Sequence, residues 1–211
     1  MKKSLINCAD LGKHFYLSPE YWYSKKTATE SLQGTELIEI ASLVKKGSKP
    51  DLQRSLVLDT SCADKGLLHI SPFLFATSKT SKSYKKRVEE GVVLVSRLRS
   101  YLMQVTYIPH GIKQRLDVDT LYCSTEFYIL KPKVKGDEIA FLVPWLLSES
   151  VQKIFTDATV GGHHPRFGDD LLMSLKIPTY YIDNKQQLND KVVTCINTSV
   201  DSQMTMRNLV N

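Results

Sequence analysis

Two apolar runs rich in β-branched residues, 91–99 and 102–108, constrain the fold of this chain most. Val, Ile and Thr favour strands because their branched side chains pack well on a pleated surface. The second run follows the first after two residues, so the pair predicts two strands and, we expect, a hairpin. The chain must therefore build a sheet around these residues.

Positive charge is concentrated in the window 79–115, which contains these two runs. The window 79–115 holds nine basic and two acidic residues, whereas the whole chain has 28 basic and 22 acidic residues and a net charge of +6. The remaining residues are thus almost neutral. A protein with one strongly basic segment favours a polyanionic partner, and nucleic acid is the partner that this pattern predicts.

The first part of the window, 79–87, contains five basic residues, interleaved with Ser, Thr and Tyr. The first acid of the window, Glu89, comes after them. Lys and Arg neutralise phosphates, and hydroxyls add hydrogen bonds to phosphates or base edges. A solvated surface loop is the alternative interpretation of such a run. The candidate DNA contacts in the window are Lys79, Lys82, Tyr84, Lys85, Lys86, Arg87, Arg97, Arg99, Lys113 and Arg115.

Arg97 and Arg99 end the first predicted strand, and alternation would direct both to one face. An exposed sheet face and a DNA-facing edge both fit this arrangement. The guanidinium fork suits a phosphate or a guanine equally well.

A glycine-containing turn at 161–166 supplies the last candidates, His163, His164 and Arg166. Adjacent side chains in an extended turn point apart, so the two histidines make a poor shared metal site. A surface turn is one interpretation. The other is a DNA contact, because Arg166 precedes a predicted helix whose N-terminus favours anions.

Further patterns predict strands at 56–58, 67–70 and 122–130, a helix at 139–158, and a short helix that begins near 167–170 and ends before 177. The segment 35–44 fits either a helix or a strand. A last helix begins near Asp183, where Gln186 completes a variant of the capping box. Its apolar stripe must pack either on its own domain or on another chain.

The length of 211 residues fits one domain with an appendage, which we divide into 1–180 and 181–211. The four cysteines are scattered, so neither a disulfide framework nor a zinc ribbon is expected. No apolar run approaches the ~20 residues of a membrane span, and no apolar leader follows the N-terminus. We expect a cytoplasmic protein.

Motifs for catalysis are missing. The sequence has no phosphate-binding loop, dinucleotide fingerprint, nucleophile elbow or amino-methyltransferase motif. Asp119 and Glu126 have the order of a nuclease pair, but the lysine expected two residues after the glutamate is absent. We expect a non-enzyme without cofactor or metal. The alternatives are a small metal-dependent nuclease using His163, His164 and Asp169, and a protein-binding adaptor.

Several segments, in order, are similar to one known family. They are the opening 18–23, the run 90–99, the run 123–132, the helical stretch 141–155, the turn 161–166 and the exit 171–178. Together the chain resembles a target recognition domain of type I restriction-modification specificity subunits, over about residues 15–180. Val92 departs from the family pattern, which has an acid after the glycine.

The resemblance implies an α/β (α+β) domain with a mixed sheet, followed by a helix that packs against a partner helix. It also implies a DNA-reading role without catalysis, with methylation and restriction performed by separate subunits. Specificity subunits usually carry two such domains, so this chain is expected to be a half-subunit. Its implied partners are double-stranded DNA, the methyltransferase subunit, the restriction subunit, and either a second copy or another half-subunit through the C-terminal helix.

Overall fold

The computed structural model describes Pro19, Trp22, Tyr23 and residues 34–50, 54–70, 83–159 and 165–210. The strands in these ranges are β1 Gly34–Glu36, β2 Ala41–Leu43, β3 Ser55–Leu58, β4 Ala63–Asp64, β5 Leu67–Leu68, β6 Lys86–Val88, β7 Val92–Ser96, β8 Val105–Ile108, β9 Thr120–Cys123, β10 Phe127–Pro132 and β11 Lys176–Pro178. The α-helices are α1 Leu37–Ile40, α2 Ile112–Arg115, α3 Leu142–Leu146, α4 Glu149–Asp157, α5 Asp169–Met173, α6 Thr179–Asp183 and α7 Lys185–Val210. The open segment 35–44 therefore contains both a short helix and strand residues.

The largest sheet is antiparallel, with strand order β2-β10-β7-β8. The predicted hairpin is confirmed, because β7 pairs antiparallel with β8, from Val92 opposite Ile108 to Val95 opposite Val105. Every residue of these two strands is buried. Since both faces are covered, the strands are mostly apolar rather than alternating with polar residues, and the exceptions, Ser96 and Thr106, are themselves buried.

A second sheet has the order β3-β9-β6 and is mixed, because β3 runs parallel to β9 while β6 runs antiparallel to it. Two small two-stranded sheets, β1-β11 and β4-β5, complete the β structure of the described residues. The expected α+β class with a mixed sheet and a C-terminal helix is confirmed.

The strand expected at 91–99 ends earlier than its apolar pattern suggests. The ladder stops at Ser96, whose hydroxyl donates to the carbonyl of Leu98 at 3.1 Å and accepts from its amide at 3.3 Å. Such local bonds to a serine side chain compete with strand pairing. Arg99 then adopts a left-handed backbone with φ of 50°. The prediction that Arg97 and Arg99 share one strand face is therefore wrong.

Two other elements are divided where one was predicted. The run 122–130 forms two strands in different sheets, β9 and β10, joined by a turn in which the amide of Phe127 donates to the carbonyl of Ser124 at 3.1 Å. The helix expected at 139–158 is interrupted at Ser148, whose extended backbone separates α3 from α4. Serine is a frequent residue before a helix, although the Ser148 side chain forms no capping hydrogen bond with the first turn of α4.

The apolar stripe of α7 packs on its own domain. Ile196 and Val200 are fully buried in the core. The amide of Gln203 fixes the helix to the edge of β5, because it donates to the carbonyl of Leu68 at 2.9 Å and accepts from the amide of Ile70 at 2.7 Å. Of the two partners that the sequence allowed for this stripe, the structure therefore selects the domain itself.

The opening segment contributes to the core through Trp22, which is 8% exposed, while Tyr23 is exposed. Among the helices in the described ranges, none is both long and apolar enough to cross a bilayer.

Candidate nucleic-acid interface

Glu126 lies between two arginines that come from distant parts of the chain. Arg97 donates from Nε to Oε2 of the carboxylate at 3.1 Å. Arg166 donates from Nε to Oε2 at 2.9 Å and from Nη2 to Oε1 at 2.8 Å. The second pair is bidentate, the geometry in which guanidinium and carboxylate match best. One negative charge thus holds two positive charges, which leaves an excess of positive charge.

Backbone pairing brings these three side chains together. The amide of Arg97 donates to the carbonyl of Glu126 at 3.0 Å, immediately after β7 and before β10. Leu98 forms an antiparallel bridge with Arg166. The segment leading into α5 therefore runs beside the residues that leave β7, so two of the predicted DNA-contacting regions meet.

The ring of Tyr128 lies beside two cations. Its centroid is 5.9 Å from Nζ of Lys86 and 6.0 Å from Cζ of Arg97, at the limit of cation–π attraction. Lys86 also donates to the carbonyl of Phe127 at 2.7 Å, and the Tyr128 hydroxyl donates to the carbonyl of Phe167 at 2.8 Å. We call Lys86, Arg97, Glu126, Tyr128 and Arg166 the Glu126 cluster.

The electrostatics of this cluster follow from its contacts. The hydrogen bond from Arg166, helped by Arg97, lowers the pKa of Glu126, so the carboxylate is ionised at neutral pH. Burial lowers the pKa of Lys86, and the nearby charge of Arg97 acts in the same direction. Burial raises the pKa of Tyr128 to about 12, so the phenol stays neutral.

A second basic group surrounds Glu89. Lys131 donates to Oε2 of Glu89 at 2.7 Å, and this bond is the main reason why the pKa of Glu89 is lowered. The charges of Arg87 and Lys113 lower it further. Glu90 accepts from the amide of Lys113 at 3.0 Å. The three cations of this group outnumber its two carboxylates, Glu89 and Glu90, by one. Its excess of positive charge is therefore smaller than that of the Glu126 cluster.

Arg115 has a different role from the other predicted contacts. It donates to Oδ1 of Asn197 at 2.6 Å and to the carbonyl of the same residue at 3.2 Å, and it forms an ion pair with Asp201. Its guanidinium thus connects α2 to α7. The structure places this side chain against the C-terminal helix rather than in either basic group.

The remaining candidates are partly placed. Tyr84 is 60% exposed, and Lys85 donates to the hydroxyl of Ser83 at 2.9 Å. Arg99 is exposed, and in the sequence it follows Arg97 of the Glu126 cluster by two residues. Four further candidates, Lys79, Lys82, His163 and His164, lie outside the described residues.

Sequence reasoning missed Glu126 and Tyr128 as members of the site. The sequence marks Glu126 only as an acid with nuclease-like spacing, and no spacing rule connects it to Arg97 or Arg166. The connection arises from the turn between β9 and β10, which the apolar pattern concealed. A glutamate next to a predicted basic strand is the one signal that could have suggested an ion pair.

Each of the acids considered for a nuclease forms an ion pair with a different cation. Asp119 lies 3.5 Å from Nε of Arg54, whereas Asp169 lies 2.9 Å from Nζ of Lys45. Within the described part of the chain, no three His, Cys, Asp or Glu residues come together as a metal site would require.

Comparisons with known proteins add no family. No family model matches the sequence, and no curated protein matches it either.

Proposed function

We propose that this chain is a sequence-specific DNA-binding half-subunit of a type I restriction-modification system. It directs separate methyltransferase and restriction subunits and is not itself catalytic. The observation that carries the proposal is the Glu126 cluster, in which Arg97 from the end of β7 and Arg166 from the segment before α5 pair with one carboxylate. Lys86 of β6 lies beside them and donates to the carbonyl of Phe127. The ordered resemblance to target recognition domains supports the same role.

The basic side chains of the proposed interface form two groups, exposed cations and arginines that Glu126 holds in place. Exposed cations such as Arg87 and Arg99 suit phosphates, because backbone contacts need charge and reach rather than fixed geometry. Arg97 and Arg166 are oriented by Glu126, and an oriented guanidinium suits bidentate recognition of a base in the major groove. Four candidates that lie outside the described residues, Lys79, Lys82, His163 and His164, stay in the proposed interface. Arg115 is removed from it, because its guanidinium binds α7.

The proposed assembly uses the end of α7. Met206, Leu209 and Val210 are 60%, 76% and 70% exposed, in contrast to the buried stripe that precedes them. Apolar side chains exposed together mark interaction surfaces. We propose that this end packs against a second half-subunit or a helix of the methyltransferase subunit, in the cytoplasm.

A salt titration of binding to duplex DNA tests the proposal. Arg87→Ala combined with Arg99→Ala should make the slope of log K against log salt shallower by up to about 1.8, because each phosphate that the protein no longer neutralises lowers the slope by about 0.9. Lys185→Ala with Lys191→Ala removes the same charge from α7 and should leave the slope unchanged.

Three outcomes would count against the proposal. Absence of binding to duplex DNA at moderate salt favours an adaptor. If both double variants made the slope shallower by the same amount, the net charge of the protein, and not this surface, would drive binding. Cleavage of plasmid DNA by the purified chain with Mg²⁺ or Mn²⁺ would favour the nuclease.

A further inference from the structure

A second basic segment, outside the window 79–115, lies directly beside β6. The loop 44–50 connects β2 to the chain that leads to β3, and it contains Lys45, Lys46 and Lys49 but no acid. The adjoining segment 83–88 contains Lys85, Lys86 and Arg87, again without an acid. Two segments of the same sign therefore meet, although residues 51–82 separate them in the sequence.

Backbone hydrogen bonds anchor this loop at both ends. The amide of Val44 donates to the carbonyl of Ile129 at 3.0 Å, which holds the start of the loop on β10. Ser48 and Lys85 exchange two hydrogen bonds, of 2.8 and 2.9 Å, as an antiparallel bridge. The loop thus passes from the edge of the antiparallel sheet to the edge of the mixed sheet in a defined position.

The lysines of the loop differ in what they contact. Lys45 forms an ion pair with Asp169 at 2.9 Å, so part of its charge is neutralised. Lys46 and Lys49 are exposed, and within the described part of the chain neither forms an ion pair. Like charges held beside β6 repel one another, and an external polyanion would relieve that repulsion.

We propose that Lys46 and Lys49 bind phosphates of the same DNA duplex that the Glu126 cluster reads, which makes the loop 44–50 a backbone clamp. The inference rests on the proposed function. Three residues of extended chain span at most about 10 Å, and each DNA strand presents a phosphate every ~3.4 Å along the axis. A span of this size is compatible with contacts to two nearby phosphates of one strand.

Two measurements test the clamp with the intact chain and a random-sequence duplex. In the first, Lys46→Ala with Lys49→Ala is compared in the salt titration with Lys185→Ala with Lys191→Ala. The slope for the loop variant should be shallower by up to about 1.8, and this variant should bind all sequences more weakly, because phosphate contacts carry no sequence information. The control should match the wild type.

In the second measurement, lysine acetylation is followed by mass spectrometry with and without the duplex. DNA should slow the modification of Lys46 and Lys49 several-fold, while Lys185 and Lys191 serve as internal references. This readout needs no variant and is independent of any folding defect.

The outcomes separate the clamp from the proposed function. If the wild-type chain binds duplex DNA but the loop variant keeps its slope and DNA leaves the acetylation of Lys46 and Lys49 unchanged, the clamp is wrong and the DNA-binding role stands. If the wild-type chain does not bind duplex DNA, both are overturned.

Discussion

Arg97 and Arg166 hold the same carboxylate, with their Nε atoms 3.1 and 2.9 Å from Oε2 of Glu126. The side chains of Arg97, Arg166 and Glu126 are only partly exposed, at 36%, 39% and 20%. Guanidinium groups fixed in this way lose less conformational entropy when they bind a ligand than free arginines do. The same carboxylate also weakens the field that attracts a phosphate. Glu126 thus lowers the affinity of this surface for phosphates while it fixes the orientation of Arg97 and Arg166.

Glu126→Gln should strengthen binding to random-sequence duplex DNA and make its salt dependence steeper, by up to about 0.9 in slope for one additional phosphate. The amide keeps the size of the side chain but removes the charge that neutralises Arg97 and Arg166. Asp190→Asn on α7 removes a charge elsewhere and should leave binding unchanged. The prediction fails if both variants shift binding equally, as a pure net-charge effect would. Titrations in several salt concentrations measure both quantities.

Stability should fall in acid partly through Glu126. The arginines lower the pKa of this carboxylate in the folded state, so its contribution is complete above the unfolded pKa of about 4.3 and is lost as the pH falls through the folded pKa. Urea denaturation from about pH 6 downward should show a smaller loss for Glu126→Gln than for the wild type. Parallel pH profiles of the two proteins would contradict this reasoning.

Much of the fold could be predicted, since apolar runs such as 105–108 and the stripe of α7 reflect burial directly. The errors occur where the backbone changes direction at a short polar residue. Ser96 ends a strand through local bonds, and the backbone becomes extended at Ser148 between α3 and α4, although neither residue disturbs the apolar pattern. The site was harder to predict, because the ion pair of Glu126 with Arg166 depends on which segments become neighbours. Composition located the positive charge but not the carboxylate within it.

Arg115→Ala should destabilise the fold without weakening DNA binding. Its guanidinium holds Asn197 and Asp201 of α7, and hydrogen bonds to charged groups contribute about 1.5–3 kcal/mol, which partial exposure reduces to about 1–2 kcal/mol here. Arg87→Ala offers the matched comparison, with the same chemical change and little effect on stability. Urea denaturation and duplex binding, measured on both variants, should give opposite rankings. Loss of DNA affinity by folded Arg115→Ala would return this residue to the interface.

The two halves of α7 should respond differently to substitution. Ile196→Ala removes a side chain that is 1% exposed and should lower the free energy of unfolding by about 2–5 kcal/mol, whereas Thr194→Ala, at an exposed neighbouring position, should change it by less than about 0.5 kcal/mol.

Leu209→Asp alters a side chain that is 76% exposed, so the fold should keep its stability while any association through this end weakens. Urea denaturation with sedimentation analysis separates the effects. A large loss of stability in Leu209→Asp would mean that the end of the helix also belongs to the core.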